Sequence, residues 1–577
     1  MSEAGGTQDQ GLVNLRWAHA LVDGLAAAGV TRAVISPGSR STPLALACDR
    51  HPAIRSWVHL DERGAAFLAL GQAKADGMPS LVIATSGSAP AHWYPALLEA
   101  SLSHIPLLLL SADRPPELQA WGVNQTLDQQ KLFGDRIRAF YPAGLPEDDA
   151  ESLRRIRLFG IRAVERSLGV DPGPVHINLP FREPLIPVAP PSQWPKGIGP
   201  GFPIFRQRLA SDPMQMHDLA TCLAGRPGLI VCGPNKDGAG FAPAVVELAD
   251  ALACPVLADP LSGLRFGPWD KHRLLSRYDF ILRRKSVDEL PPPAWILRFG
   301  AAPVSKSLLG YLASVDARQL LVAPHGDWPD PVQRGAELIR CDPGEFCRGL
   351  IAEEPAPGPE SSCRAWLELA AEALPDFTAE VADDRPFEGL VIRDLLRALP
   401  ADSVLFSGNS QPIRQLDSWS GFDAKPLRVF CNRGASGIDG NVATLAGIAD
   451  VHPGPVVGLI GDLTLLHDLN SLGAARERPL VIIVFNNGGG GIFGQLPQAE
   501  LDSFQRYWLT PQHLDLQQAA RLFGLHYRCI ERQGDFPSAL AQALAEPFCH
   551  LIEVIIDREY SLRRQRAYWL GSTSSGG

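Results

Sequence analysis

Two short apolar runs, close together in the chain, constrain its fold most strongly. Val456–Ile460 and Leu480–Phe485 have the length and β-branched content of buried parallel strands, and a helix-like segment from about 466 to 476 separates them. Strand, helix and strand at this spacing predict a right-handed crossover unit with both strands parallel in one sheet. The pattern therefore predicts an α/β fold built on a parallel sheet.

Polar residues follow both of these strands directly: Asp462 after the first and Asn487 after the second. Because the carboxyl ends of parallel strands form the ligand crevice of an open sheet, these side chains should lie side by side. A carboxylate oxygen, an amide oxygen and the backbone carbonyl of Gly489 are hard ligands that suit Mg²⁺. The glycine run 488–491 lets the backbone approach a diphosphate, with a helix N-terminus behind it. The alternative is an ordinary βαβ unit whose aspartate caps a helix.

The composition limits the kinds of protein that this chain can be. Its 577 residues are 45% hydrophobic and 20% charged, as in globular proteins, and should form about three domains. A formal net charge of −10 argues against general nucleic-acid affinity but allows a local arginine pocket. No run of 18 apolar residues, apolar leader or zinc-type cysteine spacing occurs. We therefore expect no membrane span and a cytoplasmic location.

Alternating strand and helix patterns divide the chain into three predicted domains, each a parallel sheet flanked by helices. The first spans residues 1–190 and is followed by a proline-rich connector at 180–200. The second spans 205–352, and the third spans 363–577 and contains the two strands described above. The first and third could share a fold, since both alternate strands with loops and helices and have polar residues at the strand ends.

The Gly-Asp pair at Asp462, followed about 25 residues later by Asn-Asn at Asn487, resembles the diphosphate and metal motif of thiamine diphosphate enzymes. The flanking strings GDLTLLHDLNSL and NNGGGGIF are similar to one branch of these enzymes, the 2-succinyl-5-enolpyruvyl-6-hydroxy-3-cyclohexene-1-carboxylate synthases of menaquinone biosynthesis. The resemblance implies a three-domain thiamine diphosphate-binding fold. In that fold the first domain binds the cofactor pyrimidine, and the third binds its diphosphate and Mg²⁺ or Mn²⁺ through Asp462, Asn487 and Gly489.

Glu62 lies in the string HLDERG, which joins a predicted strand to an apolar helix. The string resembles the glutamate motif of the family, and the resemblance implies that Glu62 is the catalytic carboxylate that binds N1′ of the cofactor pyrimidine. A glutamate in apolar surroundings is suited to share a proton with this nitrogen. The alternative is a glutamate that only complements the dipole of the helix N-terminus.

The resemblance implies further contacts to the cofactor. The loop TSGSAPAH at 85–92 contributes Ser86 and Gly87, and Ile438 forms the apolar wedge that bends the cofactor. Isoleucine suits a wedge because its branched side chain is rigid at χ1. The other residues that the resemblance assigns to the cofactor are Ser410, Gly437, Leu463, Ile492 and Phe493.

Arginines and hydroxyl residues occur at several strand ends of this acidic protein, for example in SPGSRSTP at 36–43. The resemblance implies that they bind two dicarboxylate substrates, isochorismate and 2-oxoglutarate. The residues assigned to the substrates are Ser39, Arg40, Arg114, Gln125, Lys306, Ser410, Arg414 and Arg433. The alternatives are a helix cap with an exposed Arg40, a structural salt bridge of Arg114, and interdomain ion pairs of the last two arginines. Ser307 stands where some relatives have an arginine.

The reaction implied by the resemblance is decarboxylation of 2-oxoglutarate and conjugate addition of the succinyl carbanion to isochorismate. Within the family, Glu62 and the metal motif belong to different subunits, which implies a homodimer or a dimer of dimers. One alternative is another thiamine diphosphate-dependent 2-oxo acid decarboxylase or an acetolactate synthase-like enzyme. The other is a binding protein that keeps the fold without catalysis.

Overall fold

The computed structural model describes residues 9–130, 132–188, 201–205, 207–235, 240–375 and 377–570. Three six-stranded sheets form the framework of this part of the chain, and every strand pairing in them is parallel. The predicted α/β fold class is therefore confirmed. Residues 189–200 of the predicted proline-rich connector lie outside the described residues.

The first sheet has the strand order β2-β1-β3-β4-β6-β5. Its strands are β1 (Arg32–Ile35), β2 (Arg55–Val58), β3 (Ser80–Ala84), β4 (Leu107–Asp113), β5 (Ala139–Pro142) and β6 (Pro174–Pro180). The helices of this segment are α1 (Gln10–Ala27), α2 (Thr42–Arg50), α3 (Glu62–Asp76), α4 (Tyr94–Leu102) and α5 (Ala150–Leu168). The central strands β3 and β4 are buried throughout, as expected for a parallel sheet covered on both faces.

The second sheet has the order β12-β11-β10-β7-β8-β9. Its strands are β7 (Gly228–Cys232), β8 (Val256–Ala258), β9 (Leu274–Leu275), β10 (Trp295–Phe299), β11 (Arg318–Val322) and β12 (Glu337–Ile339). The helices are α6 (Pro213–Leu223), α7 (Phe241–Leu252), α8 (Tyr278–Arg284), α9 (Lys306–Ser314) and α10 (Pro343–Ala352), followed by α11 (Glu360–Glu372) and α12 (Thr378–Asp383).

The third sheet has the order β14-β13-β15-β16-β18-β17, which repeats the topology of the first sheet strand for strand. Its strands are β13 (Ser403–Ser407), β14 (Leu427–Phe430), β15 (Val456–Gly461), β16 (Val481–Asn486), β17 (His526–Ile530) and β18 (His550–Ile555). The helices are α13 (Glu388–Ala398), α14 (Gln411–Trp419), α15 (Asn441–Ala449), α16 (Asp462–His467), α17 (Leu472–Ala475), α18 (Leu516–Phe523), α19 (Phe536–Ala545) and α20 (Arg558–Leu570).

The prediction of a single helix at about 466–476 is wrong in detail. Two α-helices and a 3₁₀ turn at Leu469–Ser471 occupy this part of the chain. Asp468 lies at the break, where one carboxylate oxygen accepts a hydrogen bond from Ser471 Oγ (2.6 Å) and the other from Ala443 N (2.9 Å). An aspartate that binds nearby donors in this way competes with helix continuation. The helix is therefore interrupted at Asp468.

The chain forms two compact units. Of the described residues, the first unit comprises those between 9 and 207 with 432–452 and 468–475, and the second comprises those in 208–431, 453–467 and 476–570. Within the first unit α15 packs closely along α3, since a Cβ added at Gly447 would lie 2.0 Å from the Leu68 carbonyl oxygen. The boundaries of the three predicted domains stay a prediction. No helix among the described residues is long and apolar enough to cross a membrane.

Candidate active site

The carboxyl ends of three neighbouring strands place several predicted site residues together in the first unit. In the sheet register Ile35 of β1 pairs with Ile83 of β3, and Ala84 pairs with Ser111 of β4. The loops that follow these strands contain Ser39 and Arg40, then Ser86 and Gly87, and finally Arg114. This edge is where an open parallel sheet binds its ligands.

Arg40 is buried, with 6% of its surface exposed, so the predicted alternative of an exposed arginine beside a helix cap is wrong. Its Nη1 donates to the Phe181 carbonyl oxygen (2.9 Å) and its Nη2 to a carboxylate oxygen of Glu183 (2.7 Å). The Glu183 side chain is 70% exposed. An exposed carboxylate on a buried guanidinium is a partner that an acidic ligand can replace. Ser39 is exposed beside it.

Arg114 is oriented by the loop after β3, because it donates a hydrogen bond to the Ser86 hydroxyl. Its Nε is buried without a hydrogen-bond partner, and no ion pair joins it to a carboxylate in the part of the chain described here. Burial and the nearby charge of Arg40 lower the pKa of the Arg114 guanidinium. Gln125 donates to the Ser86 carbonyl oxygen (2.9 Å). The Nε atoms of both guanidiniums are buried without a hydrogen-bond partner among the described residues, so the two arginines are suited to bind an anion.

Gln129 is a buried residue of this site that sequence reasoning missed. Its Oε1 accepts from Gly87 N (3.1 Å), and its Nε2 donates to the Ala112 carbonyl (3.2 Å) and to Asn178 Oδ1 (2.9 Å). It thereby fixes the loop after β3 against strands β4 and β6. A glutamine in a loop has no periodicity that would reveal such a role.

Glu99 on α4 is a second missed residue, and it positions the loop that contains Arg433. Its two carboxylate oxygens accept from Gly434 N (3.0 Å) and Ala435 N (2.8 Å), and Lys74 lies 3.6 Å away. Glu99 is 2% exposed, so both of its oxygens depend on these partners. The half-buried Gly437 and Ile438 follow in the same loop, directly before α15.

Glu62 is the first residue of α3 and is half-buried. Asp61 already caps this helix, since its carboxylate accepts from Arg63 N (3.0 Å), and its hydrogen bonds to Arg63 lower the pKa of Asp61 to about 2. No hydrogen bond or ion pair involves the Glu62 carboxylate in the described ranges. Because another carboxylate caps the helix, that of Glu62 remains available for a ligand.

The second unit contains the predicted metal ligands at adjacent strand ends. Gly461 of β15 pairs with Phe485 of β16, so Asp462 and Asn487 follow neighbouring positions of the sheet. Asp462 is 8% exposed and accepts from Leu463 N (2.9 Å). Burial raises the pKa of Asp462 to about 6, which the backbone N–H groups of Leu463 and Gly489 partly oppose. These contacts place Gly489 beside the Asp462 carboxylate.

Asn487 Oδ1 is buried and has no hydrogen-bond partner among the described residues. A buried amide oxygen without a partner costs free energy unless a ligand binds it. Together with the Asp462 carboxylate and the backbone of Gly489 it forms a set of oxygen ligands of the kind that Mg²⁺ prefers. The residues present therefore fit a magnesium ion.

The glycine run after β16 packs against backbone of the same unit. Gly489 has φ +127°, and a Cβ added there would lie 2.1 Å from the Leu509 carbonyl oxygen. Gly490 N donates to the same oxygen (2.7 Å). Only glycine fits this conformation and approach. A 3₁₀ helix, Gly491–Gln495, follows the run.

The other predicted residues of the second unit lie at strand ends too. Ser410 follows β13 with φ +69°, and its carbonyl oxygen accepts from Arg414 Nη1 (2.7 Å). A small cleft is lined by Gln411, Asn487 and Gly491, among others, which brings the loop after β13 close to the loop after β16. Lys306 is exposed at the N-terminus of α9 in the second sheet. The half-buried residues near the metal ligands are Leu463, Ile492 and Phe493.

A larger cavity, of about 690 Å³, lies elsewhere in the second unit. Its lining includes Arg277, Arg393 and Trp419, and none of the predicted site residues lines it. Size alone would place the ligand here. We assign the candidate site to the strand ends instead, because the buried oxygen of Asn487 and the closely packed Gly489 lie there, together with the other residues predicted from the sequence.

Models of three thiamine pyrophosphate enzyme domains match the chain. The model "Thiamine pyrophosphate enzyme, N-terminal TPP binding domain" matches residues 15–132. The model "Middle domain of thiamine pyrophosphate" matches 195–407, and "Thiamine pyrophosphate enzyme, C-terminal TPP binding domain" matches 416–554. The predicted metal ligands Asp462, Asn487 and Gly489 lie within the last of these ranges.

Solved structures and curated relatives agree with these matches. The benzoylformate decarboxylase of Polynucleobacter necessarius has the same fold, with a TM-score of 0.70 at 18% identity over 94% of this chain and 98% of that one. The 2-succinyl-5-enolpyruvyl-6-hydroxy-3-cyclohexene-1-carboxylate synthase of Dechloromonas aromatica (strain RCB) is 45% identical, over 95% of this chain and 99% of the relative. The synthase of the same name from Geobacillus kaustophilus (strain HTA426) is 42% identical, over 96% and 97%. The chain therefore belongs to the 2-succinyl-5-enolpyruvyl-6-hydroxy-3-cyclohexene-1-carboxylate synthase family of thiamine pyrophosphate enzymes.

Proposed function

We propose that this protein is a 2-succinyl-5-enolpyruvyl-6-hydroxy-3-cyclohexene-1-carboxylate synthase of menaquinone biosynthesis. It takes 2-oxoglutarate and isochorismate as substrates and releases CO₂. The observation that supports this most directly is the combination of the buried Asp462 carboxylate and the unpaired Asn487 oxygen with the two arginines, Arg40 and Arg114. An enzyme for one small monocarboxylate needs fewer guanidiniums than an enzyme for two dicarboxylates.

Bound thiamine diphosphate supplies an electron sink that makes decarboxylation of a 2-oxo acid possible. The carboxylate of Asp462, the amide oxygen of Asn487 and the backbone carbonyl of Gly489 would hold Mg²⁺, which would supply positive charge for the cofactor diphosphate. The Glu62 carboxylate holds a proton at N1′ of the pyrimidine ring, as a general acid–base group does. The half-buried Ile438 contributes an apolar surface to the cofactor.

The arginines bind the carboxylates of the substrates. Arg40 exchanges its exposed partner Glu183 for a substrate carboxylate, and Arg114 uses donors that the protein itself leaves unfilled. Such bidentate, charge-assisted hydrogen bonds fix the orientation of a dicarboxylate as well as its affinity. Ser39, Gln125, Lys306, Ser410, Arg414 and Arg433 complete the proposed set of substrate contacts.

The activity is tested with purified protein, thiamine diphosphate and Mg²⁺. Product, followed by mass spectrometry, should form only when both 2-oxoglutarate and isochorismate are present. Rapid CO₂ release from 2-oxoglutarate or pyruvate without isochorismate would instead indicate a simple decarboxylase or an acetolactate synthase-like enzyme. A protein that binds the cofactor but turns over neither substrate would be a binding protein.

The metal site is tested by Asn487→Ala. The variant loses a ligand but no hydrogen bond of Asn487 Oδ1, so the thermal midpoint of the metal-free protein should hardly change. The rise in thermal midpoint on adding Mg²⁺ and thiamine diphosphate should shrink strongly, since stabilisation follows ligand affinity. Gln517→Ala, which removes an exposed amide from α18, is the matched control. An unchanged response in Asn487→Ala would contradict the assignment.

We further propose a homodimer, or a dimer of dimers, in which Glu62 of one copy acts with Asp462 of another. The test uses two inactive variants, Glu62→Gln and Asp462→Ala, which are unfolded, mixed and refolded together. After random reassembly, half of the dimers contain one copy of each variant. One of the two sites in each of these dimers is intact, so activity returns to about a quarter of wild type. No recovery would mean that both residues come from one copy. The cytoplasmic location stays a prediction.

A further inference from the structure

Two histidines and a glutamate meet at the amino edge of the third sheet, away from the proposed active site. His526 is the first residue of β17 and His550 the first residue of β18. Glu546 directly follows α19, four residues before His550. Asn487 follows the carboxyl end of the parallel strand β16, at the opposite edge of the sheet. For a strand of this length, the two edges are roughly 17 Å apart. None of these three residues has a role in the chemistry proposed above.

The sheet register brings the two imidazoles together. His526 and His550 are direct Cα partners in the parallel pair β17–β18, and their ring centroids are 4.9 Å apart. Glu546 Oε2 lies 3.2 Å from His550 Nε2 and 3.8 Å from His526 Nδ1. One ligand atom from each of the three residues lies within 4.8 Å of the other two. The three atoms thus form a small triangle.

This triangle matches one face of a tetrahedral zinc site. Zn²⁺ binds histidine nitrogen and carboxylate oxygen at about 2.0–2.1 Å, which separates neighbouring ligands by about 3.3–3.4 Å. His550 Nε2 is buried and has no hydrogen-bond partner in the described chain, although Glu546 Oε2 is only 3.2 Å away. The two atoms are therefore close without the alignment of a hydrogen bond. Two ligand atoms whose lone pairs point at the same metal ion are close to each other in this way without a hydrogen bond between them.

We propose that His526, Glu546 and His550 bind Zn²⁺, with a fourth position open to water. The His526 side chain is 50% exposed and that of Glu546 32%, which leaves a path for the ion, whereas that of His550 is 10% exposed. Two imidazoles favour Zn²⁺ over Mg²⁺, which is bound by oxygen ligands at the other edge of the sheet. The ion ties the edge strand β17 to β18 and to the end of α19, so its role is structural.

Co²⁺ serves as the spectroscopic probe, with the holoprotein kept in excess Mg²⁺ and thiamine diphosphate so that the active site is filled. Addition of Co²⁺ should produce the visible absorption bands of a four-coordinate ion, and Zn²⁺ should abolish them. Metal analysis after dialysis should give one Zn²⁺ per chain, and Zn²⁺ should raise the thermal midpoint. His526→Gln and His550→Gln should lose the bands, the bound zinc and the rise in thermal midpoint, because glutamine is a polar side chain of similar size that lacks the imidazole ligand.

His217→Gln is the matched control. His217 Nδ1 lies 3.0 Å from Glu353 Oε2 on the surface of the same unit, and no third ligand joins this pair among the described residues. The control should keep the bands, the zinc and the thermal response. The proposal is overturned if wild-type protein shows no four-coordinate bands, or if His526→Gln retains zinc while its metal-free thermal midpoint equals that of wild type.

Discussion

Glu99 and Gly434 are 335 positions apart in the sequence, yet a hydrogen bond of 3.0 Å joins the buried carboxylate of one to the backbone N–H group of the other. The other oxygen of the same carboxylate accepts from Ala435 N (2.8 Å). A loop with two glycines nearby has little rigidity of its own. The position of Arg433 therefore depends on Glu99, a residue on a different helix.

Glu99→Gln should raise KM for the substrate that Arg433 binds, with a smaller effect on kcat. The glutamine keeps one acceptor oxygen, but its NH₂ group then faces a backbone N–H group. The lost hydrogen bond costs about 1–2 kcal/mol. This corresponds to an increase in KM of about 5- to 30-fold. Steady-state kinetics with each substrate varied in turn measures the effect. Glu117→Gln, at a surface pair with Arg182, is the control and should leave both constants unchanged. Equal KM values in Glu99→Gln and wild type would contradict this role.

Glu62→Gln should reduce kcat by about 10²- to 10⁴-fold, the range expected when a proton-transfer group is lost. Binding of thiamine diphosphate and Mg²⁺, followed by the rise in thermal midpoint, should persist. Glu559→Gln is the matched control, since Glu559 is also an acidic residue in the first turn of a helix, and is exposed. If Glu62 only complements the helix dipole, both variants should lose the same small amount of stability, about 0.3–1 kcal/mol, and keep full activity.

Gly489→Ala should abolish the Mg²⁺-dependent thermal response and reduce stability, whereas Gly488→Ala should be mild. Both glycines have positive φ, but a Cβ at Gly488 meets nothing within 4 Å, while one at Gly489 would lie 2.1 Å from backbone. Gly488→Ala therefore costs only the left-handed conformation, about 1–2 kcal/mol. Denaturant unfolding and Mg²⁺ titration of the two variants measure the contrast. Similar losses in both would mean that packing against Leu509 is unimportant.

The buried imidazole of His176 should make the free energy of unfolding depend on pH. Burial lowers the pKa of His176 to about 3, and its Nε2 lies 2.7 Å from Ser111 Oγ. Because the ring is neutral when folded but titrates near 6.5 when unfolded, its contribution is complete above pH 6.5 and is lost as pH falls from 6.5 toward 3. The slope in this window should reach about 1.4 kcal/mol per pH unit.

His176→Gln should lower this slope when unfolding by denaturant is compared at pH 6.5 and pH 4.5. The slope is the diagnostic quantity, because the variant can also lose stability equally at both values. His513→Asn, at an exposed histidine with positive φ that asparagine tolerates, is the control and should keep the wild-type slope. Identical slopes in His176→Gln and wild type would show that His176 is not the titrating group.

The sequence predicts the parts of the site that depend on local pattern. The apolar strands before Asp462 and Asn487 are confirmed, and so is the fold class, because strand ends in a parallel sheet follow from periodicity and spacing. Glu99 and Gln129 escaped prediction because their partners are distant in sequence and nothing nearby marks them. The break at Asp468 escaped because its carboxylate is bound by Ala443, 25 positions earlier.

The first and third sheets have the same strand order, so β1, β3 and β4 correspond to β13, β15 and β16. The loops after the first set contain Arg40 and Arg114 of the proposed anion site, and those after the second contain the proposed metal ligands. An ancestral gene that duplicated would leave such a pair of copies, each free to mutate on its own. A new substrate preference can then evolve through the loops after β1 and β4, while the proposed metal ligands after β15 and β16 stay unaltered.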